Sequence, residues 1–107
     1  FNNGTGVYWF VSSANRITGG AISNSTWTHI AVCRASGNTR LFINGTQSGS
    51  TYADSTNYLV APVMIGQFND GTGAGWFNGY IDDLRITKGY ARYTGNFTPQ
   101  TSQWQDQ

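Results

Sequence analysis

The chain has 107 residues, a formal net charge of +1 and only 10% charged residues, which gives room for one domain. One Lys and five scattered Arg form no basic stripe of the kind a phosphate backbone requires, so nucleic acid is excluded as a main partner. A single cysteine, Cys33, excludes an intrachain disulfide framework, and no apolar run reaches the ~18 residues of a membrane-spanning helix, so no membrane insertion is expected.

Leu, Ile, Val and Phe make up only about a fifth of the chain, a share that borders on disordered composition, but disorder also wants a high net charge. Four Trp, six Tyr and six Phe supply apolar area instead, at roughly 150–250 Å² for each large aromatic side chain buried. A folded domain follows. Helical periodicity is absent. β-Branched and aromatic residues recur in short runs bounded by Gly, Asn and Ser, the spacing of a sandwich or barrel.

The first run, residues 7–12, places Tyr8 and Phe10 on one face and Trp9 and Val11 on the other. Residues 17–22 form a weaker run, interrupted by Gly19-Gly20. Residues 27–34 and 40–44 make the clearest pair, joined through Ala35-Ser36-Gly37-Asn38-Thr39, a length and composition suited to a hairpin loop. Ile30 and Val32 share one face, as do Leu41 and Ile43. Asn44-Gly45 favours the positive φ values of a tight turn, so the chain from Gln47 returns antiparallel.

Residues 58–61 and 63–68 form a further strand region broken by Pro62, which cannot donate to a central ladder. A Gly-rich loop follows, from Gly66-Gln67-Phe68-Asn69-Asp70 through Gly75-Trp76. In residues 77–87 the apolar positions Ile81, Leu84 and Ile86 break strict alternation, which a bulge at Asp82-Asp83 restores. The tail has one weak strand pattern over residues 91–94, and Phe97 and Trp104 are expected to pin it to the body.

Four segments now carry a likeness. Trp27-Thr28-His29-Ile30-Ala31-Val32, Leu41-Phe42-Ile43-Asn44-Gly45, Met64-Ile65-Gly66 and Phe77-Asn78-Gly79-Tyr80-Ile81-Asp82-Asp83-Leu84-Arg85-Ile86 resemble, in order, successive strands of the laminin-G-like, concanavalin-A-like lectin/glucanase superfamily. The likeness covers residues 27–98 and implies an all-β fold, an antiparallel two-sheet jelly-roll sandwich. The ending Ile86-Thr87-Lys88-Gly89-Tyr90-Ala91-Arg92-Tyr93 through Pro99 resembles that of bacterial and phage-encoded members, which decorate virion fibres and large secreted proteins. Members of the superfamily usually carry strands ahead of the position of Val7. The expectation is therefore a sandwich incomplete at its N-terminal side, one domain over residues 1–107 that belongs to a longer chain or is completed by a neighbouring subunit.

Glucanases of this fold use closely spaced acidic residues, and retaining enzymes place two carboxyl groups roughly 5–5.5 Å apart. This chain has no Glu, and Asp54, Asp70, Asp82, Asp83 and Asp106 are its only side-chain carboxylates. Asp82 and Asp83 are read as fixing the bulge, through backbone amides and Arg85 or Arg34. His29 is the only imidazole, and with no Gly-x-Ser-x-Gly elbow it is read as a hydrogen-bonded structural group. Cys33, inside an apolar strand, is read as a small buried hydrophobe. The Gly-rich loop runs into Trp76-Phe77 rather than Gly-Lys-Ser/Thr, so it is no phosphate cradle. No catalytic residue and no resident cofactor are assigned.

The resemblance implies one calcium-binding possibility, since many laminin-G-like domains hold that ion with Asp side chains and carbonyls in rim loops. Asp70 and Asn69 would supply its oxygens here. Sugars present apolar C–H faces to aromatic rings and hydroxyls to Asn, Asp and backbone amides. Trp76, Asn69, Asp70 and Asn78 offer that combination, and Tyr52 and Tyr58 extend it. The reading is a non-catalytic, extracellular, cell-surface or virion-associated module that binds a glycan or cell-surface polysaccharide. The alternative is a purely structural decoration or fibre subunit that contacts neighbouring subunits. Sequons at Asn3, Asn24, Asn44 and Asn96 would admit glycosylation in a eukaryotic secretory route.

Overall fold

The computed structural model of the protein describes residues 6–68 and 75–103. All regular structure among them is β, and the strands form two antiparallel sheets. The chain divides into two compact units, one of Phe1–Thr56 with Thr87–Gln107 and one of Asn57–Ile86.

In the first unit, β1 (Tyr8–Val11) and β2 (Ala14–Thr18) form a two-stranded sheet. The second sheet has β4 (Asn38–Ile43) at its centre, β3 (Ile30–Ala35) along one edge, and β5 (Thr46–Gln47) and β6 (Tyr52–Ala53) along the other. Three two-residue turns make these hairpins. Ser12 and Ser13 have φ of 51° and 60°, Ser36 and Gly37 of 49° and 71°, and Asn44 and Gly45 of 49° and 81°. Positive φ at both central residues gives a backbone twist that matches that of the flanking strands. The Asn44-Gly45 turn agrees with the sequence reading. The five-residue loop expected over residues 35–39 is instead a two-residue turn, because Asn38 and Thr39 are taken into β4 opposite Ala35 and Arg34.

The strand expected over residues 17–22 lies earlier, at Ala14–Thr18. Ile17 is 1% exposed, and the pairing shifts register between Trp9 and Phe10 so that Ile17 sits opposite Trp9. Arg16 is the extra residue of this bulge and donates from Nε to the Val11 carbonyl at 3.2 Å. Beyond Thr18 the chain continues irregularly, with Gly19 donating to Val7 O and Val7 to Gly20 O. A Cβ on Gly19 would stand 2.7 Å from Leu41 Cδ2, so the glycine lets this segment press on the core.

β4 is buried on both faces. On one face Leu41 joins Val7 and Ile17, with Trp9, Ile22, Ile30, Ile43 and Tyr52 packed around them. The pairs Ile30↔Ile43 and Val32↔Leu41 bear out the shared faces expected of β3 and β4. On the opposite face Phe42 is wholly buried. Its ring meets Phe97 at 5.5 Å and Tyr93 at 6.4 Å, both edge-to-face, while Tyr93 and Phe97 stack on one another at 3.5 Å. This C-terminal strap is tied to the Asn44-Gly45 turn, with Phe97 N donating to Gly45 O at 2.8 Å and Gln47 N donating to Asn96 Oδ1 at 2.9 Å. Phe97 thus pins the tail as expected, without the strand sought over residues 91–94. Trp104 lies outside the described residues.

The readings of Cys33 and His29 also change. Cys33 is half-buried rather than buried, because it lies on β3 at the sheet edge. His29 is held by its backbone, donating to Asn44 Oδ1 and accepting from Asn44 N, while its ring abuts the edges of Tyr93 and Phe97 and Nδ1 is buried without a hydrogen-bond partner. Aromatic packing, rather than a side-chain hydrogen bond, positions the imidazole.

Asp54 locks the end of β6. Its side chain has no exposure, its Oδ1 accepts from Thr56 N at 3.0 Å and lies 3.7 Å from Arg34 Nη1, and its Oδ2 accepts from the Thr39 hydroxyl at 3.4 Å. Arg34 also donates to Thr56 O at 2.6 Å. Arg34 therefore serves Asp54.

The second unit holds none of the three strands expected over residues 58–61, 63–68 and 77–87. Among its described residues the one ladder element is the bridge Gln67↔Trp76. Leu59 and Val60 are 93% and 104% exposed, Pro62 has no N–H to give, and a strand persists only where a neighbour takes its amides and its apolar face. The bulge at Asp82-Asp83 is likewise a local reversal outside any strand. Asp83 has φ 53° and donates its N–H to Asp82 Oδ1 at 2.8 Å.

Two stability measurements test the first unit. Gly45→Ala should lower the free energy of unfolding by about 2 kcal/mol or more in urea titration, since the left-handed backbone alone costs roughly 1–2 kcal/mol. The new Cβ would also collide with Phe97 O, so the near-ultraviolet dichroism of the Tyr93–Phe97 stack should fall with it. Asp54→Ala should cost about 1–3 kcal/mol by stranding buried hydrogen-bonding groups. Arg34→Ala should cost under about 1 kcal/mol, because that guanidinium is well exposed to solvent.

Candidate functional site

The second unit carries the exposed aromatic side chains that the sequence singles out. Phe68 N donates to Gly75 O at 3.0 Å and Phe77 N to Gly66 O at 2.8 Å, on either side of the Gln67↔Trp76 bridge. Gly66 and Gly75 have φ of 75° and 79°, left-handed values that glycine adopts without a Cβ penalty. A Cβ on Gly75 would stand 3.0 Å from that of Phe68. These glycines close the stem of the Gly-rich loop and fix the backbone of Trp76.

Trp76 is 71% exposed, and Tyr80, four residues on, is 87% exposed. Asn78 lies between them in sequence and is exposed. Phe68 and Tyr58 are also exposed, at 53% and 39%. Indole and phenol rings at this exposure present apolar faces to solvent, and the Asn78 amide supplies both donors and an acceptor. Asn69 and Asp70, the remaining glycan candidates and the calcium candidates, lie outside the described residues.

Tyr52 belongs to the first unit. It is half-buried on β6, packs against the Val7–Ile17–Leu41 cluster, and carries the Arg16 guanidinium 5.7 Å from its ring centroid. Its hydrophobic face is thus engaged in packing. Trp76, Asn78 and Tyr58 share the second unit. Tyr80 completes the exposed set, and half-buried Gln67 stands opposite Trp76 in the bridge; neither is a candidate from sequence. Tyr80 was read as a strand residue, and only the loss of that strand exposes its ring. Gln67 was legible as part of the Gly-rich loop, but its place opposite Trp76 required the bridge.

Asp82 Oδ1 accepts from the Asp83 amide, the kind of backbone-amide bond expected of this pair, but in a local reversal and not in a strand bulge. Among the described residues no group of three or more His, Cys, Asp or Glu side chains is arranged to hold a metal, and no helix is long and apolar enough to cross a membrane.

Comparison with curated proteins and with solved structures gave no match. A laminin-G-type family model, described as the concanavalin A-like lectin/glucanases superfamily, matches residues 1–104. With nearly its whole length matched, and with two antiparallel sheets and an all-β architecture, the chain belongs to the concanavalin A-like lectin/glucanase superfamily.

Proposed function

We propose that the protein is a non-catalytic adhesion module that binds a glycan through the aromatic and amide groups of its second unit, outside the cell or on a virion. The observation that carries this reading is the 71% exposure of Trp76 on a stem whose backbone is fixed by two glycines and a β-bridge. A flat ring held at the surface costs little further entropy on binding and stacks against the C–H face of a sugar. Membership of a superfamily of lectins and glucanases supports carbohydrate as the ligand class. The absence of Glu from the sequence and the engagement of Asp82 with its neighbour's amide support binding without hydrolysis.

A second reading, assembly through protein contacts, has its own observation. Leu59, Val60, Val63 and Ile65 are between 56% and 104% exposed, and aliphatic side chains are poor partners for sugar hydroxyls but suit a protein interface. The two roles are compatible within one adhesin.

Two experiments separate these roles. On a glycan array the protein should bind an uncharged glycan with little salt dependence, given its +1 charge. Trp76→Ala should weaken that binding about tenfold or more, the loss expected from one stacked ring, and unchanged binding would remove the glycan reading at this site. If aliphatic contacts assemble the protein, light scattering should show a multimer that Leu59→Asp with Val60→Asp converts to monomer. A wild-type monomer would discard assembly between copies of the chain.

A further inference from the structure

Among the described residues two Asn-Gly dipeptides occur, Asn44-Gly45 and Asn78-Gly79, and the structure holds them very differently. Asn-Gly is the dipeptide most open to intramolecular attack, because glycine has no Cβ to shield its amide nitrogen and its backbone readily reaches the required conformations. We propose that Asn78 is a site of spontaneous deamidation, and that Asn44, in the same dipeptide, is protected by the fold.

In the reaction the deprotonated Gly79 amide nitrogen attacks Asn78 Cγ. The new C–N bond closes a five-membered imide, the Cγ–Nδ2 bond breaks, and the nitrogen leaves as ammonia. Water then adds to one of the two imide carbonyls and yields aspartate or isoaspartate. One water is consumed and one ammonia released, with no redox change and no further reactant. A neutral amide becomes a carboxylate, and the isoaspartate product also lengthens the backbone.

Asn44 cannot readily reach this geometry. Its Oδ1 accepts from His29 N at 2.9 Å, its own N donates to His29 O at 2.8 Å, and its φ is held at 49°. Gly45 is fixed in turn by the bond from Phe97 N, and it lies so close to Phe97 O that a Cβ there would collide with that oxygen. Turning Asn44 Cγ onto the Gly45 nitrogen requires breaking the side-chain bond and lifting the strap. Asn78 and Gly79 are both exposed and lie outside regular structure, and among the described residues neither makes a hydrogen bond. The close neighbour of Gly79 is the ring of Phe77, two residues away. Among the described residues no hydrogen bond opposes rotation of the Asn78 side chain.

The inference rests on the contrast between these two backbones and stands apart from the glycan reading. If that reading also holds, the reaction places a negative charge two residues from Trp76 in the chain and changes the surface with age.

The test incubates the full chain at mildly alkaline pH and digests it after aromatic residues, which separates Asn44 from Asn78. The Asn78 peptide should gain about one dalton and one negative charge. Its rate should exceed that of the Asn44 peptide by at least about tenfold, the ratio given by an opening free energy of about 1.4 kcal/mol at Asn44. In denaturant the two rates should converge, and Asn78→Gln should abolish the rapid phase while leaving the fold intact. Equal rates in the folded protein, or an Asn78 peptide that stays unmodified, would overturn the proposal.

Discussion

The first unit depends on covering both faces of β4. A strand at the centre of a sheet with Leu41 on one face and Phe42 on the other needs two separate layers, and the chain supplies them from opposite ends. Val7 and Ile17 arrive from the N-terminal hairpin, and Tyr93 and Phe97 from the C-terminal strap. Each fully buried large side chain contributes on the order of 1.5–3 kcal/mol of transfer free energy. Loss of either layer would expose a face of the strand on which β3, β5 and β6 all pair.

The Asn44-Gly45 turn connects this packing to the rest of the unit. It closes the β4–β5 hairpin, fixes His29 through reciprocal hydrogen bonds, and receives the strap through Gly45 O. One dipeptide thereby joins three segments distant in sequence. The same turn geometry that makes Gly45 hard to replace also restrains Asn44 chemically, whereas Asn78-Gly79 has no such partners among the described residues. Identical residues acquire different stability and reactivity from their surroundings.

The division into units separates scaffold from surface. The six strands and the buried side chains named above lie in the first unit, and the second presents Trp76, Tyr80, Asn78 and a run of exposed aliphatic residues on a short bridged stem. Backbone with few ladder bonds and high exposure is the part of a fold where binding groups are commonly found. The chemistry offered there is stacking, amide hydrogen bonding and apolar contact.

The β class, the β3–β4 pair and its faces, and the Asn44-Gly45 turn were legible in the sequence because alternation and turn chemistry are local properties. The Ser12-Ser13 turn was not, since serine carries no strong preference for positive φ and only the pairing of Val11 with Ala14 imposes it. The segments over residues 58–68 and 77–87 have strand-like composition without forming strands, because a strand is completed by its neighbours and composition names no neighbour. In the same way, Trp76 and, as an extension of its patch, Tyr52 were both aromatic candidates in the sequence. Tertiary structure separated them, burying one side of Tyr52 against Ile17 and Leu41 and leaving Trp76 in solvent. The sequence by itself determined which residues could turn, pair or stack; the packing of distant segments decided which of them were used up in the core and which kept a free face, because exposure is a property of the whole arrangement and of no single stretch of chain.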